Sequence, residues 1–198
     1  MSTILFRSGN TCLLFLWCII ILGCESKHEK QVKTYEQVHN RHDVDKVMSL
    51  YSNDISFEIV GTWVKSGKGQ VHGLAEWDSV TNSSMLISDI VVHADTASFK
   101  LKEGNDWFRL VGIEFMYYER CRMVFKNGLI EKIKAEVSDE SIEAFQEIWP
   151  SVIQWLTEER NKEIYELMPN GEFVYNAENA TKWLSLLNEW QEKTNHIK

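Results

Sequence analysis

The chain has 198 residues, of which 44% are hydrophobic and eight are tryptophan, enough to bury one substantial core and too few for two large domains. Its formal charge is −8; the first 23 residues carry a single charged side chain, Arg7, so the rest holds 20 basic and 29 acidic residues, or −9. That balance excludes the clustered Lys and Arg of a nucleic-acid surface and gives little attraction to anionic headgroups.

From Thr11 to Leu22 the sequence is apolar, with Arg7 before it and Glu25, Ser26, Lys27 and His28 after it. About a dozen apolar residues fall short of the ~20 that span a hydrocarbon core. The order basic, apolar, small is that of a secretory signal. The closing residues Ile21-Leu22-Gly23-Cys24 resemble the lipobox of bacterial lipoproteins. Cys12 follows Thr11 and Cys18 follows Trp17, so only Cys24 has the small residue before it. The resemblance implies a signal peptide over 1–23, lipidation of Cys24 and a lipidated tether over 24–33. It also implies a cell-envelope location anchored to a membrane, the outer one by analogy with Glu25 sorting, on the periplasmic or surface side. An ordinary signal peptide and an uncleaved anchor are the alternatives. Beyond this segment the chain has Cys121 alone, so no disulfide framework and no Cys-x-x-Cys metal pair exists.

Tyr35, Val38, His42, Val44, Val47, Met48 and Tyr51 recur at helical spacing and predict an amphipathic helix over 31–51. Ile55, Phe57 and Ile59 then alternate with Ser56, Glu58 and Val60, as in a strand. Gly61, Gly67, Gly69 and Gly73 interrupt the next piece, before a short helix with Leu74, Trp77 and Val80. Strands are expected over 85–93, 96–103, 112–125 and 129–137, the last two joined at Asn127-Gly128, a strong hairpin signal. After Asp139 the period is helical: Phe145, Ile148, Trp149, Val152 and Leu156 share one side, and Pro150 either starts a helix or kinks one. A turn at Pro169-Asn170-Gly171 precedes a last helix with Trp183, Leu186, Leu187 and Trp190 on one face. The tryptophans of this extension must cover the sheet, another subunit or a partner.

The succession of Asp43-Val-Asp-Lys-Val-Met-Ser-Leu-Tyr51, Ile55-Ser-Phe-Glu58, a Gly-Lys-Gly turn with a short helix, and Glu103-Gly-Asn-Asp-Trp-Phe108 resembles the nuclear transport factor 2-like superfamily, particularly its SnoaL-like branch. The resemblance covers about 34–137 and implies an α+β fold. A curved antiparallel sheet and N-terminal helices would form a cone, with a helical extension over 138–198 packing on it. The superfamily holds isomerases, cyclases, dehydratases and pure binders, so the fold names no reaction. Its catalytic residues are not shared between branches, and none is carried over.

Strand alternation places Glu103 on the apolar face of Ala97, Phe99 and Leu101, and Glu119 on that of Phe115, Tyr117, Cys121, Met123 and Phe125. Buried carboxylates have raised pKa values suited to proton transfer. Glu103 and Glu119 are therefore the candidate catalytic residues, with Tyr117 as hydrogen-bond donor, Asp106 and Trp107 at the rim, and Phe57 and Phe99 in an apolar wall. Equally, Glu103 fits a strand leaving the core at Gly104-Asn105, and Glu119 an ion pair with an arginine across the sheet. His39 and His42 share a helix face but lack acidic co-ligands, so no metal is expected; Gly67-Lys-Gly69 lacks the rest of a P-loop, and no cofactor is expected. Cys121 reads as a small buried hydrophobe. Three readings follow: a lipid-tethered module binding a small, partly apolar ligand, an acid–base isomerase, cyclase or hydrolase-like enzyme, and an interaction module whose sheet face forms a homodimer.

Overall fold

The computed structural model describes residues 26–195. The signal-type segment and Cys24 lie outside them. Among the described residues no helix is long and apolar enough to cross a membrane.

Ser26 accepts a hydrogen bond from the backbone N–H of Glu29 and caps α1 (Lys27–His39), so residues 27–33, expected as a tether, are helical. Val32, Tyr35 and Val38 of this helix are buried. The single helix expected over 31–51 is two. After α1 the chain turns through His42, at a φ of 56°, and Asp43 caps α2 (Val44–Leu50) by accepting from the Lys46 N–H. Hydrophobic periodicity runs on through the turn because both helices present the same kind of face to one core.

The sheet comprises β1 (Tyr51–Ile59), β2 (Trp63–Ser66), β3 (Ser84–His93), β4 (Thr96–Gly104), β5 (Met116–Lys126) and β6 (Leu129–Ala135). Helix α3 (Gly67–Val80) lies between β2 and β3, and the short α4 (Asp106–Leu110) between β4 and β5. The strand order is β2-β1-β6-β5-β4-β3. All neighbours are antiparallel except β1 and β6, which run parallel, a pairing that requires the long excursion through β2–β5 to join them. Ile55, Phe99, Cys121, Met123, Ile130 and Ile133 cover the inner face.

One irregularity decides the site. Between β4 and β5 the register steps from Phe99↔Cys121 to Leu101↔Tyr118, so two residues on β4 face three on β5. The additional residue, at Glu119–Arg120, is a β-bulge that reverses the inward–outward alternation of everything before Cys121. Met116 and Tyr118 therefore face the core, while Tyr117 and Glu119 face out. The inward assignment of Tyr117 and Glu119 is corrected accordingly.

The C-terminal part is α5 (Asp139–Glu159), continuous through an exposed Pro150, then α6 (Asn161–Leu167), a 3₁₀ turn (Pro169–Gly171), an extended strap over 172–176, and α7 (Ala177–Asn195). Trp183 of α7 is fully buried, with the rings of Trp107, Trp149 and Phe173 centred 5.1–6.0 Å from it. The strap crosses α3 at Gly73, where a Cβ would stand 2.2 Å from the Tyr175 carbonyl oxygen.

Candidate functional site

The concave sheet, the helices and the strap enclose a hollow of about 800 Å³. Its walls are mostly apolar: Phe57, Phe99 and Leu101 from the sheet, Trp77 from α3, and Trp149 and Phe173 from the C-terminal part. Exposed lining residues, Gly61, Thr62, Val64, Gln146 and Glu172, mark its mouth.

Inside lies one polar cluster drawn from five places in the chain. Glu103 stands near the end of β4. Its Oε1 accepts from Ser83 Oγ at 3.1 Å and from Asn105 Nδ2 at 3.2 Å, and its Oε2 accepts from the Tyr118 hydroxyl at 3.1 Å. Asn105 is fixed because its other amide atom caps α4, accepting from the Phe108 N–H at 2.8 Å. Ser83 sits in the turn between α3 and β3, where its own N–H bonds the Asp78 carbonyl at 2.8 Å. His39, the last residue of α1, has Nε2 3.1 Å from Ser83 Oγ and Nδ1 3.8 Å from Asp78 Oδ2.

Burial raises the Glu103 pKa, and the donors on Ser83, Tyr118 and Asn105 pull it partly back. Asp78 has no such donors, and burial together with the neighbouring Glu103 charge holds it well above the ordinary carboxylate range. Its position in the last turn of α3, at the negative end of the helix dipole, acts in the same direction. The Asp78 side chain is 29% exposed and lines the hollow. Burial, reinforced by His42, lowers His39 to about 4, so the imidazole is neutral at pH 7. Because Ser83 donates its one hydroxyl proton to Glu103, His39 donates to Ser83 from Nε2 and turns a bare Nδ1 toward Asp78. Two carboxyl groups in one enclosed space, both raised by burial and only Glu103 partly drawn back by donors, form an arrangement that can exchange protons with a bound molecule.

Of the residues expected at the site, Glu103, Phe57, Phe99 and Trp107 line the hollow. Asp106 does not: it pairs with Arg109 and accepts from Asn82 Nδ2 at 2.7 Å, since its place at the start of α4 points it outward. Tyr117 is 41% exposed and Glu119 is exposed, for the reason of the bulge. Asp78, Ser83, His39 and Tyr118 were not singled out for this site. Asp78 carried no sequence signal, and the alternation assigned Tyr118 to the opposite face.

No family model matches the chain, and no curated protein matches it. Solved structures do. The epoxide hydrolase/cyclase-like enzyme SalBIII of pyran ring formation in the polyether salinomycin aligns at a TM-score of 0.52 and 13% identity, over 58% of this chain and 93% of its own. A LEH-like epoxide hydrolase of M. tuberculosis aligns at 0.52 and 11%, over 65% and 96%. An NTF2-like protein of unknown function from Cytophaga hutchinsonii aligns at 0.48 and 5%, over 62% and 99%. At such identities the likeness is one of fold: α+β, with a curved six-stranded sheet and helices forming the nuclear transport factor 2-like cone.

Proposed function

We propose that the protein binds a small, largely apolar organic molecule in the hollow, with its polar end against Asp78 and Glu103. One observation carries this: a space of ligand size with aromatic walls contains two buried carboxyl groups, Glu103 held by three neutral donors and Asp78 by none among the described residues. A cone serving only as an interaction scaffold has no use for buried carboxyls, which side chains of similar size without charge would replace at lower cost. The test is native mass spectrometry of residues 25–198 purified from cells of the source organism, followed by melting with and without the molecule recovered. A co-purifying small molecule that Glu103→Gln no longer retains supports the reading; a hollow that retains nothing and responds to no member of a broad small-molecule library overturns it.

Acid–base catalysis is the second reading, favoured by the Asp78–Glu103 pair. Two neighbours are named for epoxide hydrolysis or cyclisation and another for ketosteroid isomerase, so isomerase, cyclase and hydrolase chemistry all stay within this reading. Turnover of an epoxide by the wild type and its loss in Asp78→Asn would select this reading over binding alone.

The protein is further proposed to be held at a cell-envelope membrane through Cys24. With α1 starting at Lys27, no long linker separates that cysteine from the folded body. Gln31 Nε2 donates to the Gly128 carbonyl at 2.7 Å, and the His28 ring stacks on Phe125 at 4.5 Å, so α1 begins at the β5–β6 hairpin. The mouth, around Val60–Val64, lies at the opposite end of β6 and would open away from the membrane.

A further inference from the structure

We infer that the occupant of the hollow is an organic cation, a small hydrophobic ammonium compound whose charge is taken by Asp78 and whose body lies on the aromatic walls. This deepens the ligand-binding reading and rests on it. Three independent features lead there.

The first is charge. Glu103 and Asp78 share one enclosed space, and among the described residues neither forms an ion pair with a lysine or arginine. Lys65, at the mouth, is the one lysine or arginine among the described lining residues. His39 is neutral at pH 7 and supplies no compensation. Structural buried carboxylates are ordinarily paired. Here no lysine or arginine among the described residues supplies the compensating charge.

The second is the division of acceptors. The oxygens of Glu103 are occupied by neutral donors from Ser83, Asn105 and Tyr118. No hydrogen bond among the described residues reaches the Asp78 carboxylate, and it opens into the hollow. A ligand donor therefore meets Asp78 as the free acceptor.

The third is the wall. Trp77, Trp107, Trp149, Phe173 and Tyr175 line it, and the negative quadrupole of an aromatic face attracts cations and repels anions. The protein already uses this property at the mouth, where Lys65 Nζ stands 5.7 Å from the centre of the Tyr175 ring. The net charge of −8 adds a long-range field of the same sign.

The exchange balances simply. The ammonium enters with its charge, the Asp78 carboxyl gives up its proton to solvent, and the resulting carboxylate pairs with the ligand nitrogen. Binding thus releases protons to the extent that Asp78 holds one in the free protein, and over that range it tightens as pH rises. The other titratable groups around Asp78 are His39 and Tyr35 from α1, Tyr51 from β1, Glu103 from β4, Tyr118 from β5 and Tyr175 from the strap. Burial raises all four tyrosines, so they stay neutral throughout this range.

Three probes of one shape and different charge test it: phenethylamine, phenethyl alcohol and hydrocinnamate, titrated into residues 25–198 by calorimetry in two buffers of different ionisation enthalpy. The expected result is an ammonium that binds about tenfold or more tighter than the alcohol, a carboxylate that does not bind, and a proton release that grows as the pH is lowered. Asp78→Asn, checked for an unchanged fold by circular dichroism, abolishes the preference and the proton release while retaining the alcohol. If Asp78→Asn does not fold, the proton release of the wild type and its loss of affinity toward low pH decide alone. Alcohol equal to or tighter than the ammonium, or a preference for the carboxylate, overturns the cation and leaves the ligand-binding reading standing. Silence of all three at millimolar concentration overturns the cation and leaves the ligand-binding reading to be decided by the library screen.

Discussion

Tyr118 donates its phenol proton to Glu103 across β4 and β5, at 3.1 Å, and it can do so only because the bulge at Glu119–Arg120 turns it inward. Without that extra residue the two would lie on opposite faces of the sheet. The bulge thus has a chemical consequence: it exchanges an outward tyrosine for an inward one and removes Glu119 from the interior.

Tyr118→Phe is expected to cost about 1.5–3 kcal/mol in urea unfolding at neutral pH, because a buried carboxylate loses one of its donors and the ring space remains filled. It should also move the Glu103 pKa further up, visible in the pH dependence of its carboxyl carbon by NMR. Tyr117→Phe and Glu119→Gln, on the outer face, are expected to change neither quantity and to leave ligand binding intact.

Asp78 sets a stability trend with pH. Its folded pKa is raised above the unfolded value, so the folded state keeps its proton where the unfolded chain has lost it. The contribution of Asp78 is therefore most favourable below its unfolded pKa of 3.8 and declines as pH rises from there toward the folded value. His39 acts oppositely in part of that window: lowered from 6.5 to about 4, it favours the fold above pH 6.5 and loses that contribution as pH falls. Asp78→Asn should be more stable than wild type at pH 7 and gain less stability than wild type, relative to pH 7, as the pH falls. Chemical denaturation at half-unit pH intervals checks this; a variant less stable than wild type at pH 7 would show that the ionised carboxylate has a partner.

How far the sequence discloses these features depends on the range of the interaction behind each. Alternation and turn residues are local, so β1, β3, β4, β6 and the Asn127-Gly128 hairpin were legible, as was the inward facing of Glu103. The bulge is not local, since whether Tyr117 or Tyr118 faces inward is settled by pairing with β4. Nor is the polar cluster, which joins residues 39, 78, 83, 103 and 118 from separate elements. The break between α1 and α2 hid behind an uninterrupted apolar period, although Asp43 carries a cap signal in retrospect. The parallel β1–β6 pair follows from no residue in either strand.

Cys24→Ala is expected to abolish incorporation of a click-reactive fatty acid and to move the protein from the detergent phase to the aqueous phase in Triton X-114 partition. Because the folded body begins at Ser26 and α1 is held by its own contacts with the β5–β6 hairpin, the released chain should melt at the temperature of the soluble domain. Labelling that persists in the variant would place the lipid elsewhere, and a wild type that takes up no label would exclude it.

Gly73→Ala tests whether the strap bounds the hollow. Within a helix alanine is ordinarily better than glycine by about 1 kcal/mol, so propensity alone predicts a gain. The opposite is expected here. A Cβ at this position would stand 2.2 Å from the Tyr175 carbonyl oxygen and 3.2 Å from its carbon, and both are backbone atoms that no rotamer change can withdraw. Either α3 or the strap has to shift, and overpacking of this kind typically costs about 1–3 kcal/mol. The strap is the weaker partner: it is an extended segment held against α3 by the T-shaped contacts of Trp77 with Phe173 and Tyr175, centred at 6.1 and 5.2 Å. Lifting it removes two aromatic walls while leaving Asp78 and Glu103 in place. The variant should therefore melt lower and show red-shifted tryptophan emission. It should also bind any ligand of the hollow more weakly, chiefly through faster dissociation in stopped-flow fluorescence. A variant with wild-type dissociation rates would mean that the strap does not confine the ligand.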